Sequence, residues 1–270
     1  MKNNLQGISL VVPTKGGVKR LPSLLRSLEH QTLSPKLWEI IFIVNGGDDG
    51  SGELLDAWRR RTGLNARVLF LEVANVGAAR NLGLAAASRE YTTFVDDDDW
   101  LEEKFLDRGL SFAEAEGVVL MPIKEVNAVD GTSTQVNSIN LRRQAIVDGR
   151  GRLNESPWVL GFNACKIVSS TLLKQYRYNP RLQSGEDVAF FANLLHHPGL
   201  ELIIPEGVDG YAYVRTVREN SVSRRPRDFD FCVNQRLQVI SSLQNLRLTG
   251  RGKQAAESLQ LSQFLSLIHI

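Results

Sequence analysis

The sequence predicts an α/β protein: a mixed, mainly parallel sheet with helices on both faces, followed by a C-terminal helical tail. Three observations carry this. Short apolar runs alternate with amphipathic segments from Ile8 to Val95. Those runs are near-continuous, as parallel strands buried on both faces require. From about Asp228 onward the apolar residues recur at helical spacing instead.

Taken in order, Ile8–Val12 reads as a buried strand, closed by Pro13 and the loop Thr14–Gly17. A helix from about Val18 to His30 follows, with Leu21, Leu24, Leu25 and Leu28 on one stripe. Ile40–Val44 is the second strand, ahead of a glycine- and aspartate-rich loop and a helix through Leu54, Leu55 and Trp58. Val68–Leu71 is the third strand, and Val76–Ala87 an alanine-rich helix. Tyr91–Val95 is the fourth, running into the acidic stretch Asp96–Asp99. In such sheets ligands sit at the carboxyl ends of the strands, so the loops there are where chemistry is expected.

From Gly117 the rhythm breaks. Val118–Met121, Leu202–Ile204 and Tyr211–Val214 read as short strands among helices near Leu141–Val147 and Val188–His196, a mixed sheet closing one side of a pocket. The tail carries Val233, Leu237, Ile240, Leu243 and Leu246, a break at Thr249–Gly252, then Leu259, Leu261, Phe264 and Leu265. It suits packing on the domain, dimerisation or contact with a membrane surface. The expected division is 1–226 for the α/β domain and 227–270 for the tail. The last residues, Leu267–Ile270, give no polar close, so the tail reads as truncated or as ending in foreign residues.

Composition excludes several classes. With 43% apolar and 23% charged residues in 270, the chain is neither disordered nor low in complexity. A net charge of +2 makes no case for nucleic acid, although Arg215, Arg218, Arg224, Arg225 and Arg227 bunch locally. Cys165 and Cys232 lack disulfide-framework or metal-ligand spacing, which fits a reducing compartment. There is no signal-peptide core, and no apolar run approaches the ~18 residues a membrane span needs. The expectation is a cytoplasmic protein, at most peripheral to a membrane.

The sharpest local signal is Phe94–Trp100, whose clustered carboxylates end an apolar strand. They repel one another unless a cation or hydrogen-bond donors neutralise them. A hard divalent ion held by one or two carboxylates, diphosphate oxygens and water meets that need. Asp98 is the first choice of ligand, with Asp96 or Asp97 reaching ribose or a bridging water. The plainer alternative is an acidic turn with Asp99 capping a helix at Leu101. Asn75–Gly83 places small residues at a helix start, where a chain or ligand can approach closely, with Arg80 as a fork of donors. In Ser184–Phe191 a carboxylate could serve as general base, but Ser184 and Asp187 also have the spacing of a capping box. Arg215–Ser223 is a polar, basic loop suited to a leaving diphosphate, or simply to solvent.

In that order the segments resemble the inverting glycosyltransferases of family 2. The matching residues are Val11–Thr14, the loop Asn45–Ser51, Asn75–Gly83, Asp96–Asp98, Glu186–Asp187 and Arg218–Ser223, which together cover about residues 8 to 224. The resemblance implies a GT-A fold and transfer of a sugar from a nucleotide sugar, a UDP-sugar first, to a glycan or lipid-linked acceptor. It implies a nucleotide-sugar site at Pro13, Thr14, Asn45, Asp48, Asn75, Gly77, Arg80, Asp96, Asp97, Glu186 and Arg218. It further implies Asp98 on Mn2+ or Mg2+ and Asp187 as the base activating the acceptor hydroxyl. By the same resemblance the product is a bacterial surface polysaccharide, teichoic acid or lipid-linked glycan, and the C-terminal helices could join two copies. The chain departs from the family at Gly46, where an aspartate usually holds uracil, and at Arg218, where a histidine often stands. Two rivals remain: a sugar nucleotidyltransferase, for which Lys15–Arg20 is a faint phosphate loop, and an inactive sugar-nucleotide-binding module.

Overall fold

The computed structural model describes residues 5–217 and 233–268. Three strand–helix steps and a fourth strand open the chain. They are β1 (Leu5–Thr14), α1 (Leu21–Glu29), β2 (Trp38–Asn45), α2 (Ser51–Thr62), β3 (Ala66–Leu71), α3 (Val76–Ala86) and β4 (Arg89–Phe94). Then come β5 (Trp100–Leu101), α4 (Phe105–Ser111), β6 (Gly117–Leu120), β7 (Ile123–Asn127), β8 (Ser133–Thr134) and α5 (Ser138–Gln144). After these follow β9 (Arg150–Arg152), β10 (Lys166–Ser169), α6 (Ser170–Leu173), α7 (Glu186–Phe191), β11 (Glu201–Ile203) and β12 (Tyr213–Val217). The helices α8 (Gln235–Gln244) and α9 (Gly250–Ile268) close the described chain.

The main sheet runs β3-β2-β1-β4-β10-β6-β11-β9. The β3-β2-β1-β4 half is parallel, and β10 enters antiparallel between β4 and β6. A second sheet, β5-β12-β7-β8, stands beyond the acidic turn. Ile8, Leu10, Val11 and Val12 of β1 and Ile40–Ile43 of β2 are fully buried, so both faces are covered, as their near-continuous apolar runs predicted. Gly83 fixes how α3 lies on that layer: a Cβ there would come within 2.4 Å of Val11 Cγ1 and 2.7 Å of Ile43 Cδ1.

Two expectations shift, and the tail takes one of its alternatives. The segment Val188–His196 is a short α7 that tightens into a 3₁₀ turn at Ala192–His196. The last strand is Tyr213–Val217 rather than Tyr211–Val214, because its pairing with β7 extends from Ile123 to Asn127. The tail packs on the domain: Val239 fills the space over Gly185, and Gln235 Oε1 accepts the Gln183 N–H at 2.8 Å. Within it Val239, Ile240, Leu243 and Leu259 are buried, while Leu237, Leu261, Phe264 and Leu265 stay exposed. Among the described residues no helix is long and apolar enough to cross a membrane.

Candidate active site

The strand ends and the first turns of α3 and α7 converge on the acidic turn. Its four residues alternate: Asp97 and Asp99 are buried, while Asp96 and Asp98 are partly exposed. Asp97 is an internal strut. Its Oδ2 accepts from Thr14 Oγ1 at 2.6 Å, and both its oxygens take the Arg20 guanidinium, at 3.0 and 2.7 Å. Asp99 is the second strut, accepting the Tyr213 hydroxyl at 2.8 Å and the Thr216 N–H at 2.9 Å. It therefore joins the turn to β12 and does not cap a helix. Burial, with the charges of Asp96 and Asp98, holds its carboxyl well above the usual range. The Tyr213 hydroxyl in turn accepts the Asp96 N–H at 3.1 Å.

Asp96 and Asp98 are left at the spacing the sequence singled out. The donors here are hard oxygens, the class Mg2+ and Mn2+ prefer. Among the described residues no group of three or more His, Cys, Asp or Glu forms a closed metal cage. The partly exposed carboxylate oxygens of Asp96 and Asp98 are of the kind that would hold such an ion.

Arg80 ties the turn to α7. Its Nη2 donates to Asp96 Oδ1 at 3.1 Å and its Nη1 to Glu186 Oε1 at 2.7 Å. Asn163, with its amide oriented to satisfy both neighbours, accepts from Arg80 Nε at 2.9 Å and donates to the Tyr178 hydroxyl at 2.7 Å. The guanidinium lies 5.6 Å from the Tyr178 ring centroid, and that ring stacks on Phe190 at 3.8 Å. Burial alone would lower the arginine's proton affinity. Asp96, Tyr178 and Glu186 outweigh it and keep the group cationic.

Asp187 stands in the first turn of α7, where its Oδ1 accepts the Val188 N–H at 2.8 Å. No capping box forms: the cap position is Gly185 at φ 72°, without a side-chain cap bond. Burial pushes the Asp187 carboxyl up to about 6, and Glu186 adds to this while Arg80 and Lys166 oppose it.

The remaining candidates shape the backbone. Asn75 caps α3, accepting the Ala78 N–H at 2.7 Å, and its Nδ2 donates to Pro180 O at 2.6 Å. Gly77 makes room for protein: a Cβ there would lie 3.3 Å from Tyr178 Cβ. Asn45 Oδ1 accepts the Asn75 N–H at 2.8 Å, fastening the second-strand loop to α3. Asp48 leads into α2, accepting the N–H groups of Gly50 and Gly52 at 3.0 and 2.9 Å. Pro13 lies within β1, paired with Ile43. Gly46 sits at φ 83°, and a Cβ there would fall 2.4 Å from Ala74 Cβ. This loop geometry has no room for the family's aspartate at that position. Arg218 lies outside the described residues.

The model of glycosyl transferase family 2 matches residues 9–169, more than half of the chain. The chain belongs to this family. "Glycosyltransferase GlyA" of Streptococcus pneumoniae is 36% identical over 102 residues, 37% of this chain and 14% of its own length. The poly(ribitol-phosphate) beta-N-acetylglucosaminyltransferase TarS of Staphylococcus aureus is 26% identical over 186 residues, 67% of this chain and 31% of TarS. The chain therefore spans a minor part of these relatives. Among solved structures, TarS in complex with UDP-GlcNAc matches with a TM-score of 0.73 at 23% identity, covering 97% of this chain and 73% of that one. The mannosyltransferase PcManGT from Pyrobaculum calidifontis, in complex with GDP-Man and Mn2+, matches at 0.68 and 14%, covering 98% and 72%. The fold is GT-A.

Within this family 2 chain, the sequence left several partners unassigned. Arg20 was visible only as part of a basic loop, yet it clamps Asp97 and donates to the carbonyls of Gly16 and Lys15, both at 2.9 Å. Asn163, Tyr178 and Tyr213 reach the site from distant chain positions, with no local pattern to mark them.

Proposed function

We propose that the chain is an inverting, metal-dependent glycosyltransferase that moves a sugar from a nucleoside-diphosphate sugar to an acceptor hydroxyl. Residues 1–226 form the catalytic unit and 227–270 the helical tail. The carrying observation is one hydrogen-bonded network: Arg80 joins the outward Asp96 of the D-x-D pair to Glu186, whose neighbour Asp187 holds a proton more tightly than a usual carboxylate. Such a carboxylate suits proton removal from an attacking hydroxyl near neutral pH.

In this reading Asp96 and Asn45 meet the nucleoside, and Arg80 keeps Asp96 and Glu186 in place. Thr14 and Asp97 hold the wall of the pocket. Asp98 would hold Mg2+ or Mn2+, which would neutralise charge on the departing diphosphate. Asp187 takes the proton of the acceptor hydroxyl as it attacks in line, which inverts the anomeric carbon. Arg20 argues against a nucleotidyltransferase, because its guanidinium is spent on Asp97 and loop carbonyls rather than offered to a phosphate. The TarS relatives make UDP-GlcNAc the first donor to try and a glycan or lipid-linked polymer of the bacterial surface the first acceptor class. A place at the cytoplasmic face of the membrane belongs to the same reading. So does self-association through α9, whose Leu261, Phe264 and Leu265 are exposed.

The test is hydrolysis of a panel of nucleotide sugars with Mn2+, Mg2+ or EDTA, on wild type and Asp98→Ala. Slow cleavage of one donor, lost with EDTA and in the variant, is the expected result. Failure of every donor to bind or be cleaved would overturn the reading.

A further inference from the structure

Lys166 is the least expected buried charge in the molecule. It is 1% exposed at the start of β10, and its ammonium makes no ion pair within 4.0 Å among the described residues. Its hydrogen bonds go instead to two backbone carbonyls, Val159 O at 3.1 Å and Phe162 O. Two rings close the cage, with Nζ 4.0 Å from the Phe162 centroid and 4.3 Å from that of Phe191. A lone buried cation is expensive, and an apolar side chain of similar length would fill the site at lower cost. The cage also joins two separate segments. Val159 lies within the Pro157–Gly161 turn and Phe162 follows it directly, while Phe191 lies on α7, whose first turn holds Asp187.

We propose that Lys166 is a positioning residue, fastening the Pro157–Phe162 turn to the helix that bears Asp187 and setting the field in which that base ionises. The inference rests on the glycosyltransferase reading of Asp187. One buried cation thus holds this turn and the base-bearing helix in a fixed relation. Besides burial, Glu186 holds the proton on Asp187, while Arg80, the Val188 N–H and Lys166 favour its ionised form. Of the two cations, Arg80 is already shared between Asp96 and Glu186. Burial pulls the Lys166 ammonium down to about 8, so it acts as a cation below that pH; it has no carboxylate of its own, and Asp187 is the carboxylate whose charge it feels.

The sign follows. Lys166 favours the ionised form of Asp187, so its loss makes the base harder to ionise and moves the acid limb of activity to higher pH. The experiment uses the full chain, UDP-GlcNAc as donor with Mn2+, and water as acceptor, across pH 5–9. In Lys166→Met, hydrolysis is expected to fall roughly tenfold at pH 5.5 and under about threefold at pH 8.5, as an acid limb moved by about one unit gives. A merely structural role would lower the rate by one factor at all pH values, and that outcome overturns the proposal, as does an unchanged profile. If Lys166→Met does not fold, Phe162→Leu and Phe191→Leu thin the cage around the ammonium. The same upward displacement of the limb, smaller in size, is then expected, and its absence overturns the proposal equally. Calorimetric UDP binding separates the two levels of inference. Wild type that neither binds UDP nor cleaves UDP-GlcNAc sinks the functional reading, whereas wild-type turnover with an unmoved limb in the variants sinks only the role of Lys166.

Discussion

Arg80 shows how a single side chain can be both scaffold and site. Its side chain is 6% exposed and bridges Asp96 to Glu186, so removing it strands carboxylates that were placed to face a cation. Breaking one side of a buried ion pair costs about 3–5 kcal/mol, more than the pair itself contributes over an apolar substitute. Because Asp96 is partly exposed, the lower end applies. Arg80→Met is expected to lose about 3 kcal/mol in urea unfolding and to weaken nucleotide binding with it. A variant of wild-type stability would mean that Glu186 and Asp96 find water instead. Asp187 gives the pH dependence. Its carboxyl titrates at about 6, so turnover that needs the carboxylate falls as pH drops through that value. For stability the sign is opposite. A raised carboxyl contributes most while protonated, and that contribution is lost as pH rises through about 6. Asp187→Asn is therefore expected to abolish transfer yet raise Tm at pH 8 by a few degrees, with the gain vanishing near pH 4. Differential scanning calorimetry at the two pH values checks it.

At the scale of elements, α3 is the best test of what a motif means physically. Read as sequence, Asn75–Gly83 offered a helix start open to a ligand. In the structure Asn75 caps the helix and holds Pro180 O, Gly77 admits the Tyr178 side chain, and Gly83 seats the helix on β1 and β2. Asn75→Ala is expected to cost about 1 kcal/mol for the cap, and somewhat more for the freed Pro180 carbonyl. The loosened Tyr178–Pro180 segment should also raise the KM for donor, since Tyr178 supports Asn163 and Arg80. Chemical denaturation with donor kinetics on the same preparation checks both. The parallel strands and their helices were legible because each carries its own period: Ile40–Val44 is apolar without a break, Ile8–Val12 is interrupted only by Ser9, and Leu21–Leu28 repeats at helical spacing. β10 was not, since four residues beginning with a lysine carry neither period. The supposed capping box at Ser184 failed because Gly185 takes a left-handed backbone against Val239, a contact made from the tail. Local patterns reveal what local forces decide. Arg20 on Asp97 and Asn163 on Arg80 are decided by the assembled fold.

For the whole molecule, the acidic turn is where the two sheets are fastened. β4 leads into it from the main sheet, while Tyr213 and Thr216 of β12 hold Asp99 from the second. A ligand that neutralises Asp96 and Asp98 therefore relieves repulsion at the joint between the halves. Its binding should be felt as global stability rather than as a local ordering alone. Binding to the folded state alone adds about 2.7 kcal/mol at a ligand concentration a hundred times Kd. At roughly 2–4 °C per kcal/mol for a chain of this size, UDP with Mn2+ is expected to raise Tm by about 5–10 °C. EDTA, or Asp98→Ala, should remove most of that rise, because the diphosphate then meets an uncompensated acidic turn. A rise that survives EDTA in full would place the stabilisation on Arg80 and the loop contacts instead, and the carboxylates would then have to be read as struts of the joint rather than as the hold for a metal.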